Sequence, residues 1–379
     1  MNDIQKGIKF MEENFERENI PEIINENPID MAEAEAIALK AKKEETKKKL
    51  RFSANRIGWA TVLFVILWMF FQTVVAVGAE LMESDFYNKY LLIINSSTQA
   101  LAMAVAIAVL FSVPKEKNEQ RPIAFNRFVK IMLICFGAGY IGNLIGSMIL
   151  TVWNIVTGNS AGGELQEILS GMNPLIMFLA VGILAPILEE LFFRKLLIDR
   201  LRPFGKIVCV FLPAFLFALF HMSATQMIYA FTVGAILAYL YYETGKYWLS
   251  VIIHAVFNWI SGFIPMLFLP KLEGFLNELT LIEGNLAEAA TLEEIANIMM
   301  PLVETYGLAL AMYAVYALLL FAINITGLIL LFINLKVLRK MKEESLLTFG
   351  ETVKAVIVNP GMIVCTAVLG ILTVFSLFT

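Results

Sequence analysis

"PLIMFLAVGILAPILEELFFRKLL", residues 174–197, decides the fold class. Its first part is a lipid-compatible apolar run, and it closes on Glu189, Glu190 and Arg194. A run of this length reads as a membrane-spanning helix. A charge near the bilayer centre costs several kcal/mol, so carboxylates and a guanidinium inside such a span are functional candidates by default.

Composition agrees. Hydrophobic residues make up 59% of the 379-residue chain and charged residues 16%, with a mean hydropathy of +0.73. Soluble domains carry roughly 25% charge. In lipid every backbone amide must find its partner within its own segment. An all-α fold follows: a polytopic membrane helix bundle. Apolar runs place spans near 57–79, 91–113, 131–157, 174–193, 207–221, 227–242, 248–269, 307–335 and 361–378, eight or nine helices in all. Residues 1–30 are polar and charged, so no cleavable signal peptide is expected.

Lys and Arg alternate along the loops. The segment before the first span holds 11 of the 29, and the loops 114–130, 194–206, 243–247 and 336–354 hold 5, 5, 1 and 5. The intervening loops hold only Lys89 and Lys271. The positive-inside rule then places the N-terminus in the cytoplasm, and nine spans leave the C-terminus outside.

Five regions follow: a charged cytoplasmic tail (1–56), a first transmembrane hairpin with a basic loop (57–129), a membrane core (130–269), an acidic outer loop (270–306) and C-terminal transmembrane helices (307–379). The basic end of the tail suits anionic headgroups, although a solvated tail that sets topology is the simpler reading. The outer loop, with seven Glu and one Lys, has the apolar spacing of one or two short amphipathic helices. Cys135, Cys209 and Cys365 all fall in apolar spans without CxxC spacing and read as packing residues. "GNLIG", 142–146, is a small-xxx-small pattern for close helix approach. "NSSTQ", 95–99, reads as interhelical hydrogen bonding.

The chain has only two histidines, His221 and His254, and both lie in spans. Each has a companion four residues away on the same helical face: Phe217 with His221, and His254 with Asn258. Glu190 and Arg194 share that spacing and read as an ion pair. At about 1.5 Å rise per residue, Glu189, His221 and His254 all reach the middle of the membrane.

These residues carry a resemblance. "EELFFR" (189–194), "FALFH" (217–221) and "HAVFN" (254–258) resemble, in order and on separate spans, the EExxxR, FxxxH and HxxxN/D motifs of the CAAX protease and bacteriocin-processing (CPBP, Abi) family of intramembrane proteases. The resemblance covers about 130–265. It implies an intramembrane endopeptidase in which Glu189 and His221 activate a water while His254 and Asn258 stabilise the oxyanion. Glu190 and Arg194 would orient Glu189 and balance its charge, and Phe217 would pack against the site. Family members are also described as metalloproteases, and a zinc held by His221, His254 and Glu189 is the alternative. Metal-free catalysis without a cofactor is the expected mechanism, because Asn258 is a poor zinc ligand and a good oxyanion donor.

Two other classes stay open. A proton-coupled transporter uses buried Glu and His, but paired inverted repeats are not seen. A non-catalytic scaffold or bacteriocin-immunity protein of the same fold is the other, although degenerate relatives would be expected to lose motif residues that are present here. The expected partners are the lipid bilayer and a membrane-associated protein or peptide substrate, with no nucleic acid. The expected location is a bacterial plasma membrane.

Overall fold

The computed structural model describes residues 28–83, 86–116, 118–158, 173–289, 291–335 and 346–378. Most of the charged tail (1–27) and the basic residues of 336–345 lie outside them. Among the described residues every regular element is helical. We number them α1 (Pro28–Leu81), α2 (Phe86–Leu110), α3 (Phe125–Thr157), α4 (Pro174–Phe204), α5 (Lys206–Phe220), α6 (Ala224–Thr244), α7 (Tyr247–Glu288), α8 (Leu292–Asn334), α9 (Phe349–Ile357) and α10 (Pro360–Phe375).

Seven of these helices are long and apolar enough to cross a membrane. The pair α9 and α10, bent by 78° at the break before Pro360, supplies an eighth span if taken as one. The short apolar α5 is the remaining candidate of the nine. The chain is a multi-pass membrane protein.

The chain divides into two units, Met1–Lys49 and Leu50–Thr379. The described part of the first is a helical segment with the ion pairs Glu44–Lys47 (3.3 Å) and Glu45–Lys49 (2.8 Å), one helical turn apart. The second is the bundle. Its central helix is α6, which packs along α3 on one side and α5 on the other, while α8 lies along the far side of α3.

Sequence signals set the helix ends. Asn173 caps α4 through its side-chain oxygen, and Pro174 occupies the first turn. Thr291 and Glu294 form a capping box at the start of α8, and Thr348 and Glu351 form another at α9. Gly245 ends α6 in the left-handed conformation (φ 65°), where a side chain would be strained. The turn between α5 and α6 makes the same reversal without glycine: Met222, directly after His221, has φ 47°.

The lysine- and arginine-bearing turns gather at one end of the bundle. Glu116 N donates to Asp199 O (2.7 Å), Arg121 N to Thr244 O (2.9 Å) and Arg200 Nε to Leu110 O (2.9 Å). At the far end of α3, Trp153 Nε1 donates to Leu377 O (2.7 Å), and Ser376 Oγ accepts from Ala224 N (3.0 Å). The turns at 116–121, 199–200 and 244 therefore lie at one end of the bundle and those at 224 and 376–377 at the other.

Two expectations change form. Residues 270–306 are not separate short helices. They are the continuations of α7 and α8, joined at 289–291, with Tyr306 Oη donating to Glu278 Oε1 (2.7 Å). Of "NSSTQ", only Asn95 makes the expected interhelical bonds, accepting from Trp68 Nε1 (3.1 Å) and from Gln72 of α1. Ser96 and Thr98 instead bond back to carbonyls of their own helix, one turn earlier. All three cysteines are free and buried.

"GNLIG" works as a contact stripe. A β-carbon on Gly142 would sit 2.5 Å from Tyr229 Cα of α6, and one on Gly146 would meet the Thr225 carbonyl. Gly142→Ala is therefore expected to cost about 1 to 3 kcal/mol through overpacking. Gly284→Ala, at an open helical position, should be neutral or stabilising. Thermal unfolding of both variants in detergent separates the two outcomes.

Candidate active site

α4 and α7 are not uniform α-helices. Wider π-helical turns occupy Ala180–Leu184 and Leu191–Leu196 in α4 and Trp259–Phe263 in α7. Such turns cluster at functional sites because they re-aim side chains within a helix. Their carbonyls attract side-chain donors. Asn258 Nδ2 donates to Val181 O (3.0 Å), Trp259 Nε1 to Gly182 O (2.9 Å), and Tyr316 Oη of α8 to Ile260 O (2.6 Å).

Glu190, between the two π turns of α4, and Arg194, within the second, are fully buried. Arg194 Nε lies 3.1 Å from Glu190 Oε2, off the line of a hydrogen bond, so their attraction is Coulombic. The guanidinium sits 4.4 Å above the centre of the Phe217 ring, a cation–π contact, and Nη2 reaches the Gly234 carbonyl (3.4 Å). The other Glu190 oxygen, Oε1, stands 2.9 Å from His254 Nδ1. A carboxylate accepts, so Nδ1 carries the proton and Nε2 points away from Glu190. Glu189 Oε2 lies 3.8 Å from that Nε2, an electrostatic distance.

His221 ends α5 and is held differently. Its Nδ1 is 2.9 Å from the Phe217 carbonyl, which only accepts; Nδ1 is therefore the donor, and Nε2 keeps a lone pair in the neutral ring. Phe217 stands edge-on to both imidazoles, with ring centres 4.7 Å from His221 and 5.8 Å from His254.

Five of the seven motif residues thus meet directly: Glu189, Glu190, Arg194, Phe217 and His254. His221 joins through Phe217. Asn258 shares the face of His254 but turns its amide to α4. One expected contact differs. Glu190 Oε1 holds His254 rather than Glu189.

Sequence reasoning missed Gly234, Trp259, Tyr229 and Tyr316. A β-carbon on Gly234 would come within 3.0 Å of Phe217 and 3.5 Å of Arg194, so its missing side chain makes room for the stack. The indole N–H of Trp259, next to "HAVFN", was a legible signal. Tyr229, ring centre 6.3 Å from His221, and Tyr316 had none.

Among the described residues no three of His, Cys, Asp and Glu are grouped to hold an ion.

Residues 171–260 match the Rce1-like family, type II CAAX prenyl endopeptidases. The matched stretch contains all seven motif residues, in agreement with the resemblance to the CAAX protease family carried by the three motifs. The Rce1-like match leaves α1 to α3 and α8 to α10 outside it. No curated protein and no solved structure matches the chain.

The Glu190–Arg194 pair yields a stability test. Arg194→Ala leaves a buried carboxylate uncompensated and should cost about 3 to 5 kcal/mol. The double variant Glu190→Gln, Arg194→Met should recover much of that, because it removes both charges together. Unfolding measured across the cycle in detergent checks the coupling; additive losses would show that the two groups do not interact.

Proposed function

We propose that the chain is an intramembrane endopeptidase that hydrolyses a peptide bond of a membrane-associated protein or peptide. The observation that carries this reading is the juxtaposition, inside the matched Rce1-like stretch, of one carboxylate with two imidazoles held in complementary ways. His221 offers a lone pair at Nε2. With Glu189 it takes the proton of the attacking water. His254, with Nδ1 bound to Glu190, offers Nε2 to the carbonyl oxygen of the scissile bond. In its cationic form it donates there, and the site then sums to neutrality: Glu189 and Glu190 against Arg194 and His254. That cation is matched to the oxyanion as it develops. Asn258 spends one amide hydrogen on Val181 and has a second for the same oxyanion. The transporter and scaffold readings lack a comparable supporting observation.

The bond is cut by water, so no residue forms a covalent intermediate and the leaving amine takes its proton from the base. Glu189→Gln and His221→Ala are each expected to abolish cleavage of a membrane-peptide substrate while detergent stability stays near that of the parent; His254→Ala should abolish cleavage and lower stability as well, because it leaves the buried Glu190 carboxylate without its partner. Activity should survive exhaustive chelation. Loss on chelation with recovery specific to zinc would overturn the metal-free mechanism.

Orientation is part of the same reading: the N-terminus and the turn at 202–206 face the cytoplasm, and the hairpin tip near Asn285 faces outward. A cysteine placed at Asn285 should label with an impermeant reagent in intact cells. Labelling only after membrane rupture would reverse the topology.

A further inference from the structure

At the basic end of the bundle, the approach to α3, its first turns and the last turn of α6 enclose a cavity of about 110 Å³. Its lining is divided. Arg121 and Arg127 provide guanidinium groups and Tyr239 a phenol, while Ile123, Ile131 and Leu240 provide apolar walls. We propose that this cavity binds the phosphodiester headgroup of an anionic phospholipid. The proposal is independent of the hydrolytic reading, since none of these residues belongs to the candidate active site.

The charge balance favours an anion. Glu243 is the one carboxylate in the lining; Lys206 holds it at 3.0 Å, and Arg127 approaches it only to 3.9 Å. The carboxylate near Arg121 is Glu119, at 3.8 Å and 81% exposed. Long, exposed pairs of this kind are weak and easily exchanged for a better acceptor. A guanidinium presents a planar fork of five N–H groups that fits two phosphate oxygens at once. The N-terminus of α3 adds to the field, because Ala124 provides no side-chain cap and the helix dipole leaves partial positive charge there.

Position and shape favour a lipid over free phosphate. The first turns of α3 carry Asn126, Arg127 and Lys130, and the apolar run of the helix begins at Ile131, so the arginines stand at headgroup level and the apolar walls lie toward the hydrocarbon. A glycerol backbone has contacts to make with Ile123, Ile131 and Leu240 that inorganic phosphate lacks. Arg121 N is tied to Thr244 O (2.9 Å) and Asn118 Nδ2 to Tyr241 O (3.1 Å), so the segment carrying Arg121 is fastened to α6. A preformed cavity binds without the cost of ordering its walls.

Native mass spectrometry of the full chain released from nanodiscs containing phosphatidylglycerol and phosphatidylcholine in equal amounts reads this directly. The parent should retain phosphatidylglycerol in roughly tenfold preference, and Arg121→Gln with Arg127→Gln should remove that preference. Lys40→Gln with Lys48→Gln, on the exposed helix of the first unit, should leave it unchanged. Glu243→Gln should increase retention by removing the carboxylate of the lining, a gain that a misfolded variant would not show. Equal retention of the two lipids, a double arginine variant as selective as the parent, or no gain with Glu243→Gln would overturn the proposal. Displacement of the lipid by millimolar inorganic phosphate alone would overturn the lipid assignment in favour of a simple anion site.

Discussion

The buried guanidinium of Arg194 is the constraint around which the membrane core is arranged. An unpaired cation at this depth would cost several kcal/mol, so every neighbour of Arg194 is recruited to offset it. Glu190 supplies opposite charge from the same helix, Phe217 of α5 supplies a ring face, and Gly234 of α6 supplies a carbonyl together with the space to reach it. Glu190 in turn binds His254 of α7. Four helices are thus held to one another through a single charge. Moving any of them exposes part of it, which makes the arrangement costly to deform.

The same logic explains the π-helical turns. A regular helix through Glu189 would keep its carbonyls engaged along its own axis. The wider turns present Val181 and Gly182 to donors on α7, and Ile260 to a donor on α8. Asn258 and Trp259 therefore knit the start of the α7 π turn to the first π turn of α4, setting the separation between the helix that carries Glu189 and the helix that carries His254. In hydrocarbon a carbonyl left without a donor has no water to turn to, so these side chains fix local geometry more firmly than they would in a soluble protein.

What the sequence made legible was set by short range. The pairs at i,i+4 lie on one helical face whatever the tertiary packing, and Glu190–Arg194 and Phe217–His221 are contacts of that kind. Long apolar runs announced the spans for the same reason. The bond from Glu190 to His254 joins residues 64 positions apart and depends on how α4 meets α7, so the motif spacing placed both residues without showing which carboxylate served the imidazole. The π turns depend on donors from other helices and leave no periodic trace. The acidic stretch after Pro270 was divided from the spans because its hydropathy falls, yet falling hydropathy does not end a helix. The signals that do are the capping groups, and the Thr291–Glu294 box marked the true break within "ATLEE".

The helices outside the matched stretch bear on the site through their packing. Gly137 of α3 and Gly327 of α8 face each other so closely that a β-carbon on either would strike the other's backbone. That contact sets α8 against the core at one level. Along a rigid helix that contact also fixes the register further up, and Tyr316, about three turns from Gly327, arrives beside the π turn of α7 and donates to Ile260. A residue remote from every motif thereby supports the turn that follows "HAVFN". The backbone around Asn258 and Trp259 is consequently held from two sides, by α4 through their side chains and by α8 through Tyr316. The region beyond the Rce1-like match then acts as a brace for the candidate site, through helices that the motifs themselves do not contain.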